Sequence, residues 1–353
     1  MTGSILHVDR PDRAPAGSTP DVTGWAAVAK GQPLQPLTYA APDLGRQDVR
    51  VAVRHCGLCF TDVQAIEDFY GITAYPFVPG HEIAGLVEAV GADVWDLRVG
   101  DRVGIGWQGR SCEQCEWCAR GEEQLCRDIA DDGTWQHHGG FADSVTVDSR
   151  FVYPLPATLS SDVAAVLMCG GASVYTPLRR YAGEARGRVA IFGIGGLGHL
   201  AIQFAHALGY EVTAFSTSPT KEPDARAFGA DRFVLVGDRS RMRPFDYAFD
   251  VALCTAHGSV DWDEVMSVMA KRGRIVVVGF PDVTLDPTDL VAHELVFTGS
   301  FIANRATVRE MLAFATEHRI EPRLEHLPMA RVNEAIARVN ANQVRYRMVL
   351  DRD

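Results

Sequence analysis

The chain has 353 residues, 47% of them hydrophobic and 22% charged, with a formal net charge of −11. That composition describes a globular protein of about two domains, and its acidic balance argues against nucleic acid or an anionic membrane as the main partner, because both demand clustered positive charge. No apolar run approaches the ~18 residues of a membrane span and the start of the chain has no signal-peptide core, so a cytoplasmic protein with reduced or metal-bound cysteines is expected.

Residues 1–23, rich in Pro, Asp, Gly and Ala, read as a flexible extension. Gly and Pro then break the first half into short segments of β character. Residues 49–54 alternate as a half-buried strand does, and residues 83–90 form a second strand before the turn Gly91-Ala92-Asp93. Cys112, Cys115, Cys118 and Cys126 follow with the spacing C-x2-C-x2-C-x7-C. Four thiolates so spaced can close a tetrahedron around one zinc ion and leave no position for substrate, which makes such a site structural. Two surface disulfides are the alternative, disfavoured in a cytosolic chain.

From about Val163 the texture changes. Residues 188–192, 211–215, 232–236, 247–251 and 274–278 read as strands separated by helical stretches, 197–208 among them, which predicts a parallel sheet with helices on both faces. The chain ends in a helix over 307–318 and a strand over 347–350.

Directly after the first of these strands, Gly193-Ile194-Gly195-Gly196-Leu197-Gly198 matches G-x-G-x-x-G. The first glycine makes the tight turn, the second lets the backbone approach a pyrophosphate, and the third lets helix and strand pack closely. The next strand ends in Ser216, Thr217 and Ser218, with Lys221 beyond, where an NAD enzyme usually carries an acid. Hydroxyls and a cation suit the 2′-phosphate of NADP(H). Candidate ligands for a second metal are Cys56 and Cys59 past the first strand, His81 and Glu82 some twenty residues later, and Cys169 near the start of the dinucleotide-binding region. Two thiolates, an imidazole and a carboxylate can hold zinc with a position open to substrate.

Taken together, these stretches resemble the medium-chain, zinc-dependent alcohol dehydrogenases, and within them the cinnamyl-alcohol-dehydrogenase-like branch. The matching segments include Cys56-Gly57-Leu58-Cys59-Phe60-Thr61-Asp62, Tyr75-Pro76-Phe77-Val78-Pro79-Gly80-His81-Glu82, the four-cysteine lobe, Cys169-Gly170-Gly171-Ala172-Ser173, the glycine loop and Val344-Arg345-Tyr346-Arg347-Met348-Val349-Leu350-Asp351. The resemblance runs from about Trp25 to Asp351. It implies an α/β chain with a GroES-like, partly open β-barrel catalytic domain (24–169 and 304–353, structural zinc lobe 111–127) and a Rossmann domain, a doubly wound parallel sheet binding NADP(H), at 170–303. It further implies a catalytic zinc on Cys59, His81 and Cys169 with Glu82 beside it, Cys56 and Cys254 being small buried residues. Thr61 aligns with the hydroxyl that bonds the reacting substrate oxygen. Ser216, Ser218 and Lys221 align with contacts to the 2′-phosphate, and Tyr70, Trp107 and Phe301 with the substrate pocket. The implied activity is hydride transfer between NADPH and a small aldehyde or ketone, in a homodimer paired through its Rossmann sheets.

Two departures stand out. The family usually carries His three residues after the relay hydroxyl, where this chain has Gln64, which cannot titrate near neutral pH. Phe60 replaces a polar or basic residue. The loss of the histidine leaves open a reductase of imines, iminium compounds or conjugated C=C bonds on the same scaffold. A non-catalytic NADPH sensor is disfavoured by the complete ligand set. His137 and His138 read as solvated bystanders.

Overall fold

The computed structural model describes residues 20–129, 138–181 and 187–352. Strands β1 (Asp21–Ala26) and β2 (Gln35–Ala40) pair as an antiparallel ribbon. β1 therefore starts inside the expected extension. Val22 is buried and the Thr23 N–H donates to the Asp143 carboxylate at 2.8 Å, which ties this segment down. Residues 1–19 of that extension, and His137, lie outside the described residues.

β3 (Asp48–Leu58) is the spine of the first half. Along one edge it pairs with β4 (Glu82–Val90), which continues to β5 (Arg102–Ile105). β6 (Ser144–Asp148) takes the start of its other edge, and β7 (Val152–Pro154) pairs with β5. Val49, Val51 and Val53 of β3 are all buried, as the alternation predicts.

A second sheet contains β8 (Arg188–Phe192), β9 (Glu211–Ser216), β10 (Arg232–Leu235), β11 (Phe249–Cys254), β13 (Met269–Val277) and β15 (Val296–Gly299), in the order β10-β9-β8-β11-β13-β15 and parallel throughout. The two-residue strands β12 (Gly258–Ser259) and β14 (Pro281–Asp282) pair outside it. Helices cover both faces, so the central strands carry buried apolar residues on both sides: Val189 and Ile191 of β8 join one core cluster, Ala190 and Phe192 another. The strand order reverses between β8 and β11, the point at which open α/β sheets bind ligands.

Most strand ends move by a residue, β3 runs on to Leu58, and two strands of the second sheet start well away from the expected position. β11 starts two residues late, after Tyr247 takes a left-handed turn at φ 55°. β13 starts five residues early, at Met269: Arg272 takes φ 63° and the register against β11 shifts between Phe249 and Val251, so the exposed Lys271 and Arg272 bulge out of a strand that continues on both sides.

The two halves share structure. The helices Ser161–Val166 and Ala172–Tyr181 are joined without a break by the π turn Leu167–Gly171. The boundary expected at 169/170 thus falls inside a helical run. The helix Arg305–His318 packs on Ala172–Tyr181, with Tyr175 and Phe314 rings 5.4 Å apart. The chain then returns through β16 (Leu324–Pro328), the helix Val332–Asn340 and β17 (Arg347–Asp351), which pairs with the end of β3. Neither β16 nor β7 pairs with the other, so the seven-stranded first sheet stays an open barrel. One core cluster runs from Ile191 and Phe204 through Leu167 and Tyr175 to Met311 and Val349, welding both sheets together.

Candidate active site

Cys59 is the N-cap of the helix Phe60–Ile66, and Asp62 stands at its third position. The Asp62 carboxylate accepts from the Cys59 N–H at 3.0 Å, the Gly80 N–H at 2.9 Å and His81 Nδ1 at 2.8 Å. This wholly buried acid therefore caps the helix and aims His81 Nε2 away from itself, toward Cys169 Sγ at 3.3 Å. Cys169 sits in the π turn, a distortion frequent at functional sites. Cys59, His81, Glu82 and Cys169 offer donor atoms that all lie within 4.8 Å of one another, every one buried.

The electrostatics of the cluster favour a cation. The Cys169 thiol donates to Cys59 and holds its pKa well below the usual thiol range, against burial and with help from His81 and Arg347. Burial pushes His81 down, but the charge and hydrogen bond of Asp62 more than reverse it. Burial raises Glu82 to about 7 even though Arg347 donates to its Oε1. Glu82 Oε2 is left buried without a partner. An orphaned carboxylate oxygen among two thiols and an imidazole fits a zinc ion, whose arrival would supply the missing partner. Cys56 lies outside this cluster. Burial lifts its pKa well above the usual thiol value, and it donates to Gly57 O at 3.6 Å. Cys254 is likewise buried and pushed up to about 12.

The four-cysteine lobe places Cys112, Cys115, Cys118 and Cys126 around one point. Sγ of Cys118 lies 3.9 Å from that of Cys112 and 3.5 Å from that of Cys115. Those separations exceed a ~2.05 Å disulfide bond and match the ~3.8 Å edge of a tetrahedron with ~2.3 Å metal–sulfur bonds. All eight cysteines of the chain are free. Backbone N–H groups of Cys118 and Arg127 bring the Cys115 thiol down to about 6, in the direction a metal ligand needs.

The glycine loop leaves β8 at Gly193, which takes φ 93°, and opens the helix Gly198–Ala207. A Cβ on Gly198 would come within 1.8 Å of Gly193 O, so strand and helix meet only with glycine there. A Cβ on Gly195 would meet nothing within 4 Å, which leaves the loop open where a pyrophosphate would lie. A cavity of about 450 Å³ runs from this loop to the metal cluster, lined by Gly195, Gly196, Leu197, Lys221, Thr61 and Cys169 among others. Lys221 Nζ donates to Ile194 O at 2.7 Å, which docks it on the loop. Ser216, Thr217 and Ser218 sit beside the cavity rather than on its wall; Ser216 is buried and its Oγ accepts from the Ser218 N–H at 3.1 Å. Phe60 and His257 face each other at 4.9 Å on the cavity wall.

A second cavity, of about 530 Å³, carries Tyr70, Trp107 and Phe301, the last two in an edge contact at 5.4 Å. The two cavities meet at Thr61 and Cys169. Gln64 lines neither. It is buried beneath Tyr70, whose hydroxyl donates to Gln64 Oε1 at 2.8 Å and also bonds the Thr61 side chain. His138 is not a solvated bystander: its Nδ1 accepts from the Val78 N–H at 3.3 Å and its ring lies 4.4 Å from that of Tyr39.

Sequence reasoning missed four residues here. Asp62 and Arg347 stood inside recognised motifs, but the ion pair between Arg347 and Glu82 joins positions 265 residues apart. His257 and Phe280 reach the cavities from loops after β11 and β13, and nothing in their neighbourhood marks them.

Comparison with known proteins agrees with this geometry. The alcohol dehydrogenase GroES-like domain matches residues 45–157, and the zinc-binding dehydrogenase domain matches residues 196–317. The chain is 37% identical over 350 residues to a probable cinnamyl alcohol dehydrogenase 6 of Oryza sativa subsp. japonica, covering 94% of this chain and 96% of that one. It is 36% identical to the NADP-dependent alcohol dehydrogenase C of Mycobacterium bovis, covering 94% and 98%. A solved cinnamyl alcohol dehydrogenase of Sorghum bicolor superposes with a TM-score of 0.89 at 35% identity, over 94% of this chain and 98% of the other.

Proposed function

The chain belongs to the zinc-binding, medium-chain alcohol dehydrogenase family, and from that premise we propose that it transfers hydride between NADPH and the carbonyl carbon of an aldehyde or ketone, with the alcohol as the reverse substrate. The observation that carries this reading is the meeting of the two cavities at Thr61 and Cys169, one leading from the glycine loop and the other walled by aromatic rings. Cys59, His81 and Cys169 would hold a zinc ion, which would supply Lewis-acid polarisation of the carbonyl oxygen, and the glycine loop would hold NADPH, the hydride donor. Asp62 holds His81 in one tautomer. Trp107 and Phe301 give the substrate side an apolar wall. An NADPH-consumption assay over aldehydes, iminium compounds and enals tests the reading; turnover confined to the iminium compounds or enals would overturn it.

Thr61 stands where the substrate oxygen must exchange a proton, and its hydroxyl adjoins that of Tyr70. Burial pushes the Tyr70 phenol well above its usual range, and its proton is committed to Gln64 Oε1. The chain of hydroxyls thus ends at an amide oxygen that takes no proton near neutral pH. Proton exchange with solvent must therefore bypass Gln64. Thr61→Ala is expected to lower carbonyl reduction at least tenfold, a modest part of the 10²–10⁴ that a positioned acid–base group contributes. The parent pH–rate profile is expected to show no inflection near ~6.5 from this position, and Gln64→His to introduce one and to speed alcohol oxidation. Unchanged turnover in Thr61→Ala, with active iminium reduction, would reverse the assignment.

The preference for NADPH rests on Lys221 and on the hydroxyls of Ser216, Thr217 and Ser218 at the end of β9, with no acid among them. Two charge-assisted hydrogen bonds of roughly 1.5–3 kcal/mol each imply on the order of 100-fold or more over NADH. Ser216→Asp is expected to shift that ratio toward NADH, and equal kcat/KM for both cofactors in the parent would refute the preference. A cytoplasmic homodimer completes the proposal. Its support is that β15 is an edge strand of the parallel sheet with Val296 exposed, and that no helix among the described residues is long and apolar enough to cross a membrane.

A further inference from the structure

The 450 Å³ cavity carries Lys221, Arg345 and Arg347 on its wall, and no Asp or Glu is among the described residues that line it. In a chain of net charge −11 this is a local excess of positive charge, which suits a ligand with several phosphates. Arg347 is committed to Glu82 and lies against the glycine loop, where a Cβ on Gly196 would come within 3.0 Å of its Nη1. Lys221 and Arg345 are placed differently, by the turn that follows β9.

Arg345 reaches that turn from the first half of the molecule. It leads into β17, which pairs with β3, and its backbone N–H donates to the Glu325 carboxylate at 2.6 Å. Its guanidinium crosses to the second half, donating to Thr220 O at 3.3 Å and to the Asp224 carboxylate at 2.9 Å. Asp224 does not belong to Arg345 alone. The same carboxylate accepts from the Tyr346 hydroxyl at 2.6 Å and pairs with Arg323 at 2.9 Å. About half of the Arg345 side chain, 47%, stays exposed. Lys221 follows Thr220 directly and feels this charge. Burial lowers its ammonium below the usual range, the Arg345 guanidinium lowers it further, and Asp224 opposes both. Two cations held this close repel each other until an anion joins them.

We propose that Arg345, together with Lys221, binds the 2′-phosphate of NADP(H), so that this group is held from both halves of the molecule. The inference rests on the NADPH reading above. The glycine loop and Arg347 face the pyrophosphate, which NADH also carries. Arg345 sits instead on the turn after Ser216 and Ser218, the strand end where this kind of fold reads the adenosine ribose. A planar guanidinium fork matches phosphate oxygens, and its partner Asp224 fixes where the fork lies. A bound 2′-phosphate ties the lead-in of β17 to the turn after β9, a link that NADH leaves unmade.

The test is equilibrium binding by calorimetry to the zinc-loaded enzyme, comparing NADPH with NADH and adenosine 2′,5′-bisphosphate with adenosine 5′-phosphate. The second pair carries neither nicotinamide nor pyrophosphate, so it reads the 2′-phosphate alone. Arg345→Gln is expected to weaken NADPH and the bisphosphate by about tenfold and to leave NADH and adenosine 5′-phosphate within about twofold of the parent. Arg345→Lys, which keeps the charge and loses the fork, is expected to fall between. Asp224→Asn removes a negative charge beside the phosphate and is expected to keep the NADPH-to-NADH affinity ratio at or above that of the parent. Zinc content and Tm report folding. Equal losses for both cofactors in Arg345→Gln, or a ratio that falls as far in Asp224→Asn, would make Arg345 a structural tie and overturn the assignment. A parent that binds NADPH no better than NADH refutes the NADPH preference itself. A parent that prefers NADPH and keeps its ratio in Arg345→Gln refutes only the role of Arg345.

Discussion

His81→Ala is expected to lower kcat/KM for aldehyde reduction by about 10³-fold or more and to bring the zinc content from two ions per chain to one. Polarising a carbonyl oxygen is worth several kcal/mol of transition-state stabilisation, and each ~1.4 kcal/mol is tenfold in rate. His81 is wholly buried between Asp62 and Cys169, so no other side chain among those donors can take over its nitrogen. The substitution also strands Asp62, which keeps its bonds to the Cys59 and Gly80 N–H groups but loses the imidazole. Asp62→Asn isolates that contribution. It leaves His81 in place with a weaker orienting partner, and a loss of roughly 10–100-fold in metal affinity is expected, read by zinc retention during dialysis against a chelator. Undiminished zinc content and rate in His81→Ala would remove this cluster from the reaction.

Cys115→Ser is expected to have the largest effect on stability. Structural zinc sites of this kind carry apparent binding free energies of roughly 10–16 kcal/mol in isolated peptides, and that energy is folding energy because the site does not exist in the unfolded chain. Apolar packing contributes little to the lobe. Its own core cluster consists of the cysteines with Trp117 and Ile129 packed against them. Removing one thiolate leaves three sulfurs to repel one another, and the loosened lobe releases the Glu113 and Glu123 contacts to Arg305. A markedly lower Tm, with the zinc at His81 retained, is the expected calorimetric and analytical outcome. If the parent holds one zinc ion per chain, and His81→Ala abolishes it, the lobe binds none.

These two sites differed in how plainly the chain announced them. The lobe packs its four ligands within fifteen residues, and the glycine loop is six residues between a strand and a helix, so short-range spacing alone carries both. The same holds for the strands whose alternation or apolar runs reflect which faces are covered, such as β3 and β8. The proposed reaction centre is different in kind. Cys59, His81 and Cys169 come from a helix cap, a strand approach and a π turn, and only resemblance to a family grouped them in advance.

The sequence by itself determined the parallel sheet, the phosphate loop, the lobe and the chemical types available for a zinc-assisted hydride transfer, because these depend on local periodicity and on residues close in the chain. Tertiary structure alone decided what those residues do to one another. It paired Glu82 with Arg347, turned the Tyr70 hydroxyl onto Gln64 and brought Phe60 to His257. Each of these contacts is set by how two sheets and their shared helices pack through a common core, and burial, not spacing, gives each its energetic consequence.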